Sequence, residues 1–202
     1  MNQSQICLSS HDAGFRLVLL HGWGSDAEDL IPVGKELSEI KGRRLEIVSL
    51  QAPEIHPQGT GYQWYDLFPA DWSAVPQAIE DLRFRLKKLS SHEIPLSKTF
   101  VLGFSQGGAM AIHSAFNLEI AGIIAFSAYP HPGWAPSRKG PAVFLAHGLA
   151  DNIVPITASE KLFSMLSNDQ LEVDIFKFSG GHEITQECII KAKEFLLKNI
   201  IL

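Results

Sequence analysis

The sequence predicts an α/β fold: a mainly parallel central sheet with helices on both faces. Three observations predict it. Short apolar runs recur at 16–22, 45–53, 99–105, 121–128, 142–148 and 172–178. Most are continuous rather than alternating, the pattern of parallel strands covered on both sides. Stretches of helical periodicity lie between them, so strand and helix alternate along the whole chain.

Taken in order, "SQICLSS" near the N-terminus is expected to add an antiparallel edge strand. "RLVLLHG" (16–22), "LEIVSLQAP" (45–53), "TFVLGFS" (99–105), "AGIIAFSA" (121–128) and "AVFLAHG" (142–148) read as interior strands. "EVDIFKF" (172–178) alternates more and is expected nearer an edge. In 75–89, Val75, Ala78, Ile79, Leu82, Leu86 and Leu89 recur at helical spacing, and Pro76 suits a first turn. In 184–200, Ile184, Cys188, Ala192, Phe195, Leu196 and Ile200 do the same. Ser25 with Glu28, and Thr157 with Glu160, have the spacing of capping boxes at two helix starts. The loop 53–74 is long and aromatic, with Tyr62, Trp64, Tyr65, Phe68 and Trp72, a composition that argues against disorder. The segment 129–141, with four prolines, cannot hold a normal helix.

At 202 residues, with no internal repeat or linker, the chain is expected to form one domain. Its 46% apolar and 19% charged residues place it among globular chains. The net charge of −5 and the lack of a basic stripe argue against nucleic acid as a partner. No apolar run reaches transmembrane length, and the first ten residues do not resemble a signal peptide, so a cytoplasmic protein is expected. Cys7 and Cys188 imply no disulfide framework; both are expected as small core residues.

The stretch Gly103-Phe104-Ser105-Gln106-Gly107 closes a strand and opens a helix. This is the G-x-S-x-G turn, which holds a serine in a strained conformation with its hydroxyl at the sheet edge. Its helix directs N–H groups and a positive dipole end toward developing negative charge. Ligands of open parallel sheets bind at the carboxyl ends of the strands. A serine nucleophile needs a base, and the base needs an orienting acid, in the chain order Ser, Asp, His. Asp151 in "HGLADNIVP" and His182 in "SGGHEI" follow strand ends in that order. The bland alternative for Ser105 is a plain N-cap, and for Asp151 a turn residue. His113 lies within the serine's own helix and points away from the turn, and His21 and His147 read as loop-shaping residues. Two N–H donors are needed for an oxyanion: Gln106, after the nucleophile, and Trp23, between Gly22 and Gly24. Trp64, Tyr65 and Phe68 of the long loop, and Trp134 of 129–141, are candidates for substrate contact. No metal-ligand spacing is present.

Together "HGWGSDAEDL", "QAP" (51–53), "WYDL" (64–67), "GFSQGGAM", "HGLADNIVP" and "GGHEI" resemble the phospholipase/carboxylesterase family of the α/β-hydrolase superfamily, which includes the acyl-protein thioesterases. The stretch 129–141 is short and leaves little or nothing to form a cap. The resemblance implies an α/β-hydrolase fold. It implies a cofactor-free serine esterase or thioesterase with Ser105, Asp151 and His182 as triad and Trp23 and Gln106 as oxyanion donors. Substrates would be small-molecule esters, acyl-thioesters or lysolipids, with acylated protein as a further possibility. Lysophospholipid hydrolysis is one rival reading, and a non-catalytic ligand-binding protein on the same fold is another. The family commonly has leucine at the position of Trp23. The indole is therefore expected along the acyl or leaving-group pocket, favouring short or medium acyl chains; the alternative is that it packs on the loop 53–74, against Trp64 or Phe68.

Overall fold

The computed structural model describes residues 5–9, 13–40, 43–137, 139–167 and 171–200. Seven strands form one sheet: β1 (Gln5–Leu8), β2 (Arg16–Leu20), β3 (Glu46–Leu50), β4 (Thr99–Phe104), β5 (Gly122–Phe126), β6 (Ala142–Gly148) and β7 (Val173–Phe178). Their spatial order is β1-β3-β2-β4-β5-β6-β7. Within this sheet, among the described residues, only the β1–β3 pair is antiparallel; every other neighbouring pair is parallel. All six parallel strands therefore end on one edge.

Side chains alternate between two cores. Val18 and Leu20 of β2 point into one, with Leu82 and Leu86 of α2 (Val75–Lys88), Met110 and Ile112 of α3 (Gln106–Ala115), and Leu162 of α4 (Ile156–Leu166). Leu17 and Leu19 point into the other, with Leu37 of α1 (Ile31–Ser38) and Ala192 and Leu196 of α5 (Gln186–Ile200). This is why the interior strands are apolar throughout. Each fully buried aliphatic side chain contributes about 1.5–3 kcal/mol relative to exposure. β7 lies at one edge and is half-exposed, in keeping with its alternation. All ten residues of α3 are buried, so the helix behind Ser105 is a rigid base.

Several expectations need correction. Cys7 is exposed because it lies on the edge strand β1, whereas Cys188 is buried. Neither capping box forms. α1 starts at Ile31, where Pro32 favours a first turn, and Asp26 Oδ1 instead accepts the Glu28 N–H at 2.8 Å. α4 starts directly after Pro155, so Thr157 is already helical. The C-terminal helix starts at Gln186, two residues later than its periodicity suggests. Regular pairing in β2, β3 and β5 stops at Leu20, Leu50 and Phe126, short of the apolar runs. Among the described residues, no helix is long and apolar enough to cross a membrane.

Candidate active site

The turn from β4 into α3 is tight. Ser105 sits there at φ 54°, a conformation side-chain-bearing residues rarely adopt. Two contacts explain its neighbours. A Cβ on Gly103 would lie 2.1 Å from Gly107 O, and one on Gly107 would lie 2.1 Å from Leu20 O. The Ser105 N–H donates to Phe126 O at 2.8 Å, pinning the turn to β5. Its hydroxyl does not cap α3, so the N-cap reading of this serine fails.

Asp151 and His182 meet on the same edge. His182 Nδ1 donates to Asp151 Oδ2 at 2.7 Å. Asp151 Oδ1 accepts the N–H groups of Ile153 at 2.9 Å and Val154 at 2.8 Å. Burial alone would raise this carboxyl's pKa, but the hydrogen bonds from His182, Val154 and Ile153 outweigh it and hold the group below the ordinary carboxylate range. The His182 ring packs on Phe104, the residue before Ser105, at 4.7 Å between centroids. Nδ1 is thus committed to Asp151.

The loop after β2 runs beside the serine turn: a Cβ on Gly22 would lie 3.6 Å from Ser105 Cβ. Gly24, at φ 80°, donates to Tyr62 O at 2.9 Å. Among the described residues, the Trp23 N–H donates to no backbone or side-chain acceptor. Gln106 is the first residue of α3, so its N–H has no intrahelical acceptor. The Gln106 side chain is fully committed: its carbonyl accepts the Trp64 N–H at 3.1 Å and its amide donates to Tyr65 O at 2.8 Å. The long loop is thereby tied to the serine turn.

The four aromatic candidates for substrate contact fare differently. Trp64 and Tyr65 are 2% and 0% exposed and offer a ligand no surface. The Trp64 indole N–H donates to His21 O at 2.9 Å, and the Tyr65 hydroxyl lies 2.7 Å from both Tyr129 Oη and His131 Nε2. Trp134 packs on His113 and Phe116, about two and three helical turns beyond Ser105. Phe68 is exposed and packs edge-on against Trp23, with centroids 5.2 Å apart. The Trp23 indole is also engaged. It donates to Gln63 Oε1 at 2.9 Å and lies 4.0 Å from the His56 ring. It packs on the loop 53–74, as the alternative reading has it, with Phe68 rather than Trp64 as the aromatic partner. Nothing in the sequence around Gln63 signals that it binds Trp23.

Comparison with known proteins bears on this arrangement. A family model described as phospholipase/carboxylesterase matches residues 1–200. The chain is 28% identical over 160 residues to a protein of Oryza sativa subsp. japonica named as a probable carboxylesterase, covering 68% of this chain and 58% of that one. It is 29% identical over 165 residues to acyl-protein thioesterase 1 of Neurospora crassa, covering 68% and 65%. The match thus spans less than two thirds of the length of these curated relatives. The crystal structure of esterase PE8 superimposes with a TM-score of 0.86 at 28% identity, over 98% of this chain and 99% of that one. A Bacillus cereus carboxylesterase gives 0.84 at 21% identity, over 98% and 95%, a likeness of fold. Matched by the family model from residue 1 to residue 200 and built on the α/β-hydrolase fold, the chain belongs to the phospholipase/carboxylesterase family.

Proposed function

We propose that this protein is a serine hydrolase that cleaves carboxylic esters or thioesters through an acyl-enzyme intermediate. The observation that carries the reading is Ser105 at φ 54° in its glycine-flanked turn, on the sheet edge that also bears the 2.7 Å Asp151–His182 pair. Ser105 Oγ attacks the acyl carbon while His182 Nε2 takes its proton. Asp151 fixes the imidazole tautomer and stabilises the imidazolium. The N–H groups of Gln106 and Trp23 receive the oxyanion, helped by the N-terminal dipole of α3. His182 returns the proton to the departing alcohol or thiol. Water activated by the same nitrogen then releases the acid and restores Ser105. No step requires a cofactor.

The names of the relatives, carboxylesterase and acyl-protein thioesterase, support both ester and thioester bonds as targets. A lysolipid is a second reading, favoured by exposed apolar side chains: Ile55, Phe68 and Trp72 on the long loop, and Leu149 and Ile153 flanking Asp151.

Labelling with a fluorophosphonate probe tests the mechanism. The wild type should be labelled at Ser105, and Ser105→Ala should abolish labelling and lower kcat by on the order of 10⁴–10⁶. Near-normal turnover by Ser105→Ala would overturn it. Rates on esters, thioesters and lysolipids of increasing acyl length then separate the substrate classes.

A further inference from the structure

The carboxylate of Asp151 has a second histidine beside it. His147, the penultimate residue of β6, is completely buried, and its Nε2 lies 3.3 Å from Asp151 Oδ2, the oxygen that holds His182. The same Nε2 lies 2.7 Å from Val154 O. A carbonyl only accepts, so Nε2 carries the hydrogen and gives it to Val154 O, with Asp151 Oδ2 close beside that N–H. Nδ1 faces Ser159 Oγ of α4 at 2.6 Å. Ser159 is itself fully buried, with Ala128 O at 2.9 Å as the other acceptor within its reach. Val154 in turn donates its N–H to Asp151 Oδ1 at 2.8 Å. One imidazole thus touches both ends of the turn that carries the acid, and α4 holds that imidazole from behind.

We propose that His147 is a positioning residue for the acid of the triad: it clamps the 151–154 turn against β6 and α4, so that Asp151 Oδ2 meets His182 in a single orientation, and its N–H edge moderates the negative charge on that oxygen. The inference rests on the Ser105–His182–Asp151 reading above. It requires a neutral imidazole, since a cationic His147 would compete with His182 for the same oxygen. Burial favours that form, lowering the pKa of His147 against the raising effects of the Val154 bond and of Asp151. The charged or titratable groups facing His147 are Asp151, His182 and Glu160 of α4. Glu160 is paired with Lys177 of β7.

Two substitutions separate positioning from packing. Glutamine places its amide nitrogen about where Nε2 stands; asparagine places its own about where Nδ1 stands. His147→Asn should therefore lose the clamp, lowering kcat about 10–100-fold with little change in KM, as small misplacements of catalytic groups do. With the N–H edge gone, Oδ2 is more negative and favours a protonated His182, so the acid limb of kcat/KM should move to higher pH. His147→Gln should recover kcat to within about tenfold of wild type and return the limb toward its original position. Equal losses in both variants with an unmoved limb would make His147 mere packing and overturn the proposal, as would wild-type kcat in His147→Asn. If His147→Asn does not fold, Ser159→Ala replaces it. This variant frees Nδ1 without touching Asp151 and should move the limb the same way; an unmoved limb overturns the proposal. A wild type that fluorophosphonate fails to label refutes the triad itself, whereas a labelled, active wild type with indifferent His147 variants refutes only the clamp.

Discussion

Acidification from pH 7.5 to 5.0 should remove about 4 kcal/mol of stability through two buried histidines that take no part in the proposed chemistry. His113 of α3 and His131 are 1% and 4% exposed and bond to each other through their Nδ1 atoms. One ring must donate and the other accept, so the pair suits two neutral imidazoles and not two cations. Burial depresses His131 to about 4, and it depresses His113 further with the added repulsion of His131. The unfolded value is 6.5. Above it neither state binds the protons. As pH falls below it the unfolded chain takes them up and the folded chain does not, so stability declines until the folded values are reached. Each pH unit in that window costs about 1.4 kcal/mol per histidine, hence about 2 kcal/mol each between 6.5 and 5.0. Domains of this kind have about 5–15 kcal/mol in total, so the effect is large. Urea unfolding followed by tryptophan fluorescence at several pH values would measure it. His113→Asn/His131→Asn keeps polar groups near the Nδ1 positions but does not titrate, and its stability should vary less with pH by about 4 kcal/mol over this range. His21 and His147, also lowered by burial, act equally in both proteins and cancel. Parallel curves for the two proteins would refute the reasoning. If the double variant does not fold, each single variant should show half the flattening.

Two further outcomes follow from contacts at the site. Gly107→Ala puts a Cβ 2.1 Å from Leu20 O and 2.5 Å from His21 O, both backbone atoms, and should cost at least about 3 kcal/mol in thermal unfolding; a wild-type Tm would show that the turn is not held against β2. Trp23→Leu strands the buried Gln63 carbonyl, costing about 1–3 kcal/mol, and should leave the chain-length profile on p-nitrophenyl esters unchanged; a shift toward longer chains would place the indole at the pocket after all.

The sheet was legible because burial on both faces writes an unbroken apolar run, and β7 betrayed its edge position by alternating. The strand ends were not. His21, Gly22 and Ala52 are as buried as the strands they follow, so hydrophobicity carries the run past the last paired residue. Ser105, Asp151 and His182 could be placed on one edge because a parallel sheet collects all its strand C-termini there. The part played by the aromatic loop could not be read in the same way. Composition shows that the loop 53–74 is aromatic, but not that the Trp64 indole N–H is used by His21 O or the Tyr65 hydroxyl by His131. An aromatic ring with a polar handle serves a buried hydrogen bond as well as it serves a ligand.

The dipeptide His-Gly occurs at two strand ends, and the structure shows why one residue type suits both. His21 follows β2 directly; its Nδ1 donates to Gly22 O at 2.8 Å and its Nε2 accepts the Ala52 N–H at 3.1 Å. His147 near the end of β6 donates through Nε2 and faces Ser159 through Nδ1. Each site needs a donor and an acceptor on opposite edges of one buried, uncharged group. Lysine and arginine only donate, carboxylates only accept when ionised, and all four would bring a charge into a fully buried position. A neutral imidazole meets the requirement, and each one stands next to a different part of the proposed machinery. The Gly22–Trp23 peptide is trans, so with its carbonyl held by His21 its N–H lies on the opposite side, the side proposed to face the oxyanion. Protonating His21 would set a second N–H against that of Ala52, and protonating His147 would draw Asp151 away from His182. Burial lowers the pKa of both histidines, so the desolvation that makes these positions costly for a charge also keeps both rings in the neutral form that their hydrogen bonds require.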